Sequence, residues 1–143
     1  MDKGTCRKWT RQILGAEAYQ RLLANGQEME PKKGTDAEPD FWPVAKLFLP
    51  GTRATWLLTE LDPQDERIAF GLADLGMGFP ELGSVWLPEL WELNVEVPIC
   101  TENGKQVDAA ILAVEKDCTF VGKAPLSWYA REARAAESLA AIS

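Results

Sequence analysis

Two short runs joined by an acidic turn constrain this chain more than any other feature. Ala54–Leu61 and Arg67–Leu75 are rich in Thr, Trp, Leu and Ile, and Asp62-Pro63-Gln64-Asp65 stands between them. Such side chains suit a pleated surface and Asp-Pro opens a tight turn, so the spacing predicts a β-hairpin. Centred near Gln64, it places Trp56 and Leu58 on one face with Phe70 and Leu72. Thr55, Leu57 and Thr59 then share the other face with Ala69, Gly71 and Ala73. A strand pair apolar on both faces needs cover on both, so the hairpin is expected at the centre of a layered fold. Gly71 and Ala73 leave room for the close approach of a helix or loop.

The flanking segments supply that cover. Met1–Arg11 is a basic lead-in, with residues 1–9 free to be flexible. A first helix is expected over Thr10–Ala24, with Thr10 as N-cap and Asn25-Gly26 as a left-handed stop. Residues 27–43, polar and holding Pro31, Gly34 and Pro39, read as a surface loop. Val44–Leu49 is a strand candidate closed by Pro50-Gly51. After the hairpin, Gly76–Gly83 reads as a constrained loop, Ser84–Leu87 as a strand, and Glu89–Leu93 as a short helix begun by Pro88. Asn103-Gly104 has the signature of a tight turn in an otherwise weak stretch, Val95–Gln106. A closing strand is expected within Val107–Val121, centred on Cys118, Phe120 and Val121. A last helix is expected over Leu126–Ala141. The predicted fold is α+β: one domain over residues 1–143, a small, mainly antiparallel sheet with N- and C-terminal helices packed on it.

Composition narrows the chemistry. The chain contains no histidine, which removes Ser-His-Asp and Cys-His nucleophile systems, the usual neutral-pH base and most zinc sites. Cys6, Cys100 and Cys118 are odd in number and far apart, which points to a reducing compartment rather than a disulfide framework. The N-terminus lacks the apolar run of a secretory signal, and Ala109–Val114 is too short to span a bilayer. The expected location is the cytoplasm. Charge is concentrated: Ala54–Glu96 holds nine acids against the single base Arg67, while the whole chain carries −7. If those acids share a face, the surface repels nucleic acids and attracts basic proteins.

Individual motifs carry little catalytic promise. Gly76-Met77-Gly78 lacks the third glycine of a dinucleotide loop, since Glu81 stands there, and reads as a structural turn. Asp62, Asp65 and Glu66 have oxygen ligands for a hard cation but not the spacing of a calcium loop. Glu60 and Asp74 are a carboxylate pair of the kind used in acid–base catalysis. The expected register puts Glu60 opposite Ile68 and Asp74 opposite Ala54, at opposite strand ends, with Arg53 as ion-pair partner of Asp74. Ser127 and Thr59 have no histidine to activate them. The basic start, Lys3 to Arg11 around Trp9, reads as a solvated surface rather than a nucleic-acid patch.

The runs LLTELDP (Leu57–Pro63), IAFGLADLGMGFPELG (Ile68–Gly83), VEKD (Val114–Asp117) and PLSWYA (Pro125–Ala130) resemble a bacterial family. The family is domain-of-unknown-function family 2958, small proteins often encoded on plasmids and other mobile elements. LLANG (Leu22–Gly26) and KLF (Lys46–Phe48) fit it as well; Met1–Arg11 and Pro98–Ala110 depart from it. The resemblance implies accessory roles such as plasmid maintenance, transfer, or evasion of restriction and CRISPR defence, and brings no catalytic residue or cofactor. The resulting expectation is a non-enzymatic binding module that engages a basic, nucleic-acid-handling host protein, its carboxylates standing in for phosphates. Its binding residues would be Asp62, Asp65, Glu66, Glu81, Glu89 and Glu92, with Trp86 and Trp91 as apolar anchors. No cofactor or metal is expected. The alternatives are a metal-dependent enzyme or regulator using Glu60, Asp74 and Glu81, and a structural or oligomeric accessory protein.

Overall fold

The computed structural model describes residues 1–140 and 142. Its centre is a five-stranded antiparallel sheet built from Ala45–Phe48 (β1), Thr55–Leu61 (β2), Ile68–Asp74 (β3), Glu81–Trp86 (β4) and Glu115–Lys116 (β7), in the order β4-β3-β2-β1-β7. Lys3–Leu14 (α1), Ala16–Met29 (α2) and the short helix Leu87–Glu92 (α3) pack on one face; Leu126–Ala136 (α4) covers part of the other. A separate two-stranded ribbon, Asn94–Cys100 (β5) with Gln106–Ala113 (β6), extends from α3. The architecture is therefore α+β with helices at both ends of the chain, as the residue pattern predicts. Among the described residues no helix is long and apolar enough to cross a membrane.

The hairpin lies near the sheet centre and every β2 residue is buried. Its register differs from the expected one. Trp56 pairs with Ala73, Leu57 with Leu72 and Leu58 with Gly71; Glu60 then pairs with Phe70 because a bulge intervenes at Thr59. A one-residue slip exchanges the faces of a strand. Trp56 and Leu58 therefore share their core with Ala69 and Ala73 under α1 and α2, while Leu57 packs with Leu72 and Phe70 under α4. The bulge reconciles a strand of one parity near the turn with the other parity beyond it, which no alternation pattern reveals. Gly71 is approached by the β2 backbone at Leu57 and Leu58, not by a helix or loop.

The N-terminal region departs most from expectation. Residues 3–9, read as a flexible lead-in, are helical; Asp2 caps them by accepting from the Thr5 N–H at 2.7 Å. Thr10 lies inside α1, where its hydroxyl donates to the Cys6 carbonyl. The single expected helix is two, separated at Gly15 with φ +85°. Asn25-Gly26 does not stop the second. Gly26 is helical, and α2 runs on to Met29 and a 3-10 turn at Glu30–Lys32, inside the expected loop. Instead the pair docks the helix on the bulged strand: the Asn25 amide donates to the Thr59 carbonyl at 2.9 Å, and Gly26 sits against the Leu61 carbonyl.

Three later boundaries also move. β4 begins at Glu81, so the expected loop ends at Pro80, three residues earlier than Gly83. The closing strand is Glu115–Lys116, whereas Cys118, Phe120 and Val121 lie outside any strand. α4 ends at Ala136, where Glu137 turns left-handed at φ 56°; the predicted end, Ala141, lies outside the described residues. Asn103-Gly104 does form the β5–β6 turn, with the Thr101 N–H donating to the Lys105 carbonyl.

Candidate functional site

The nine acids of the middle segment do not form one surface. Asp65 and Glu66, at the β2–β3 turn, are committed within the fold. Asp65 accepts from the Arg67 guanidinium at 2.7 and 2.9 Å, and that pairing pulls its pKa from 3.8 to about 2. Glu66 accepts from Arg7 of α1 at 2.8 Å and from the Tyr19 hydroxyl of α2. Burial, reinforced by that carboxylate, pushes the Tyr19 phenol up to about 12. Glu66 thus ties the hairpin turn to both N-terminal helices, while Asp65 braces the turn through Arg67, roles their position in sequence does not betray. Asp62 shapes the same turn by accepting from the Gln64 N–H.

The two carboxylates weighed as an acid–base pair are apart. Glu60 pairs with Phe70 and Asp74 with Thr55, at opposite ends of the strands. Asp74 is fully buried, and its carboxylate accepts from the Gly76 and Leu139 amides at 2.8 and 2.7 Å, not from Arg53. It closes the β3–β4 loop and holds the segment after α4. Burial raises the Glu60 pKa. Glu81 begins β4, opposite Ala73. Among the described residues no three Cys, Asp or Glu side chains gather as a metal-binding group.

What the fold does assemble lies along β4 and α3. Trp86, 39% exposed, ends β4, and the Arg67 guanidinium stands 5.1 Å from its ring. Trp91, 49% exposed, follows on α3 between exposed Glu89 and Glu92. α3 is held by its other face, where Leu87 and Leu90 enter the core, so its polar and aromatic side chains stay in solvent. Of the eight expected binding residues, Trp86, Glu89, Trp91 and Glu92 are exposed within one short stretch, the end of β4 and the helix after it, with Asp65 joined to Trp86 through Arg67. Glu81 lies five residues away along β4, about 17 Å at strand spacing. Asp62 and Glu66 face the N-terminal helices.

The β3–β4 loop adds residues that motif reasoning passed over. Leu75, Met77 and Phe79 are exposed, Phe79 by 76%, and Leu82 is exposed at the start of β4. Gly76 and Gly78, both at φ +83°, alternate with Met77 and Phe79 in that turn. The available signal was apolar residues set between glycines, where a loop has no core to bury them. A groove of about 250 Å³ lies between β4 and α3, lined by Trp56, Ala73, Leu75, Val85, Glu89 and Leu93 among others. A second cavity, about 490 Å³, holds Lys46, Thr52, Thr55, Asp117 and Cys118 on the far side of the sheet. The Lys46 ammonium and Asp117 carboxylate pair at 3.9 Å, Lys116, also in the lining, donates to the Leu14 carbonyl, and the two threonine hydroxyls donate to backbone carbonyls. The Cys118 thiol donates to the Lys116 carbonyl at 3.8 Å.

A family model described as "Protein of unknown function (DUF2958)" matches residues 13–140. No curated protein and no solved structure matches the chain.

Proposed function

The chain belongs to the DUF2958 family, and we propose that it is a non-enzymatic, acidic protein-binding module acting in the cytoplasm on a basic, nucleic-acid-handling host protein. The observation that carries this is the end of β4 and the helix after it: two large aromatic side chains are exposed close in sequence to two acids that make no ion pair among the described residues. Burying Trp86 and Trp91 against a partner removes a large apolar area from water, and each ring tolerates a polar edge. Glu89 and Glu92 add the charge that steers a basic surface into register. In its most specific form, with the mobile-element setting of the resemblance, the module is an anti-restriction or anti-CRISPR inhibitor whose carboxylates occupy a nucleic-acid-binding surface.

The test is affinity capture from nuclease-treated bacterial lysate, run beside a Glu89→Lys/Glu92→Lys variant and a Trp86→Ala/Trp91→Ala variant. A basic partner held by the native protein and lost by both variants supports the reading. Its affinity should fall steeply as salt rises from 50 to about 300 mM, because exposed charges are screened beyond roughly 10 Å at 0.1 M. A partner whose binding is indifferent to salt and to both variants would sink it.

A further inference from the structure

We infer that β4 is an open strand-accepting edge, and that the partner docks there by adding an extended basic segment to the sheet. This rests on the protein-binding reading above and specifies its mode. β4 is the outermost strand, paired only with β3. Its register is regular over all six residues, from Glu81↔Ala73 to Trp86↔Ile68, with no bulge. Natural edges are usually blunted by brevity, bulges, lysine or proline. The opposite edge, β7, is two residues long. β4 has no such device: ELGSVW contains neither lysine nor proline.

The ladder shows which groups are on offer. The Leu87 N–H donates to the Arg67 carbonyl at 2.8 Å, making 87 and 67 a hydrogen-bonded pair. Antiparallel pairs alternate, so Glu81, Gly83 and Val85 face β3, and Leu82, Ser84 and Trp86 turn their N–H and C=O groups outward. Among the described residues no backbone group other than those of β3 bonds to this strand. The same three residues are exposed, and Ser84 and Trp86 also border the groove between β4 and α3.

Geometry and charge then select the occupant. On an added strand, residues hydrogen-bonded to Leu82, Ser84 and Trp86 would place their side chains beside Leu82 and Trp86, which calls for apolar ones. The alternate residues would point to the other face, over the groove between β4 and α3. That groove is apolar within and carries Glu89 in its lining. It suits the aliphatic stem of a lysine or arginine, with the charged head against the carboxylate. Glu81, Glu89 and Glu92 outnumber Arg134, a cation beside Glu81 that makes no ion pair among the described residues. A second copy of this acidic chain would bring like charges together. The mode is β-augmentation, with main-chain bonds giving affinity and alternate side chains giving specificity.

The probe is a ten-residue peptide of alternating lysine and valine, titrated into the isotope-labelled protein with amide exchange read by NMR. Leu82, Ser84 and Trp86 amides should gain protection at least tenfold over their neighbours. N-methylation at the valines should weaken binding at least tenfold, while N-methylation at the lysines leaves it within about twofold. Ser84→Pro removes an outward N–H without touching the β3 ladder and should likewise weaken binding tenfold. If that variant fails to fold, the two methylated peptides decide alone. Salt-sensitive binding that ignores both N-methylation and Ser84→Pro overturns the edge mode and leaves the acidic-module reading standing. No protection at saturating peptide also overturns the edge mode, and lysate capture judges the broader reading independently. Protection of the three amides that grows with protein concentration, without peptide, assigns the edge to a second copy and overturns the basic occupant.

Discussion

Replacing Gly26 with alanine separates three accounts of the Asn25-Gly26 pair. Helix propensity alone favours alanine inside a helix by about 1 kcal/mol. A left-handed stop would instead make alanine strained by about 1–2 kcal/mol. The structure predicts a steric effect in a helical position. A Cβ on Gly26 would fall more than an ångström inside the 3.0 Å limit of real Cβ contacts with the Leu61 carbonyl oxygen, and 3.0 Å from its carbon. Backbone on both sides cannot swing aside, so α2 must lift from β2. That disturbs packing of Leu22 against Leu58 and Leu61, an overpacking cost of about 1–3 kcal/mol. It also stretches the Asn25-to-Thr59 bond, worth about 1 kcal/mol. Set against the propensity gain, the net loss is about 2 kcal/mol. Urea unfolding followed by tryptophan fluorescence measures it as a lower midpoint at unchanged slope. Gly15→Ala is the control: at φ +85° with nothing within 4 Å, it should show backbone strain alone. A Gly26→Ala protein as stable as the native one, or more stable, would refute the docking account.

The remaining predictions concern the buried and paired acids. Asp74→Ala orphans two amides and should cost about 2–4 kcal/mol in urea unfolding, with amide exchange at Leu139 accelerating first. Asp65 has a folded pKa of about 2 against an ordinary 3.8, so its contribution is full above the higher value and is lost as pH falls from about 4 toward 2. Acid unfolding of Asp65→Asn should lack that part of the slope. For Tyr19 the sign reverses: a pKa raised from 10.0 to about 12 gives stability that is full below pH 10 and lost as pH rises toward 12. Tyr19→Phe should remove that alkaline loss and cost about 1 kcal/mol at neutral pH for the bond to Glu66. Lys116→Met should cost about 1 kcal/mol by thermal unfolding, since the ammonium donates to the Leu14 carbonyl at the C-terminal end of α1 at 2.8 Å.

Much of the candidate site was legible before the structure. Glu89 follows Pro88 in the first turn of a short helix and Trp91 stands near its end, and a helix of six residues has too little surface to bury both its aromatic and its acids. Asp65 and Glu66 misled because nothing local reveals that Arg7, 59 residues from Glu66, reaches that carboxylate. Leu75, Met77 and Phe79 were passed over because loop glycines draw attention to the turn rather than to what it displays.

The residue pattern by itself determined the elements: apolar strands around a turn at Asp62–Asp65, a helix with a buried stripe from Leu126 to Ala133, and the tight turn at Asn103-Gly104. Those follow from propensity and periodicity, which act over a few residues. Only the tertiary structure decided the hairpin register, the use of Asn25-Gly26 as a docking seam rather than a stop, and the division of nine acids into buried, paired and free. Each depends on which distant backbone or charge arrives alongside. A bulge at Thr59 decides which core Leu72 joins, and Arg7 decides whether Glu66 ties the turn to α1 or faces a partner.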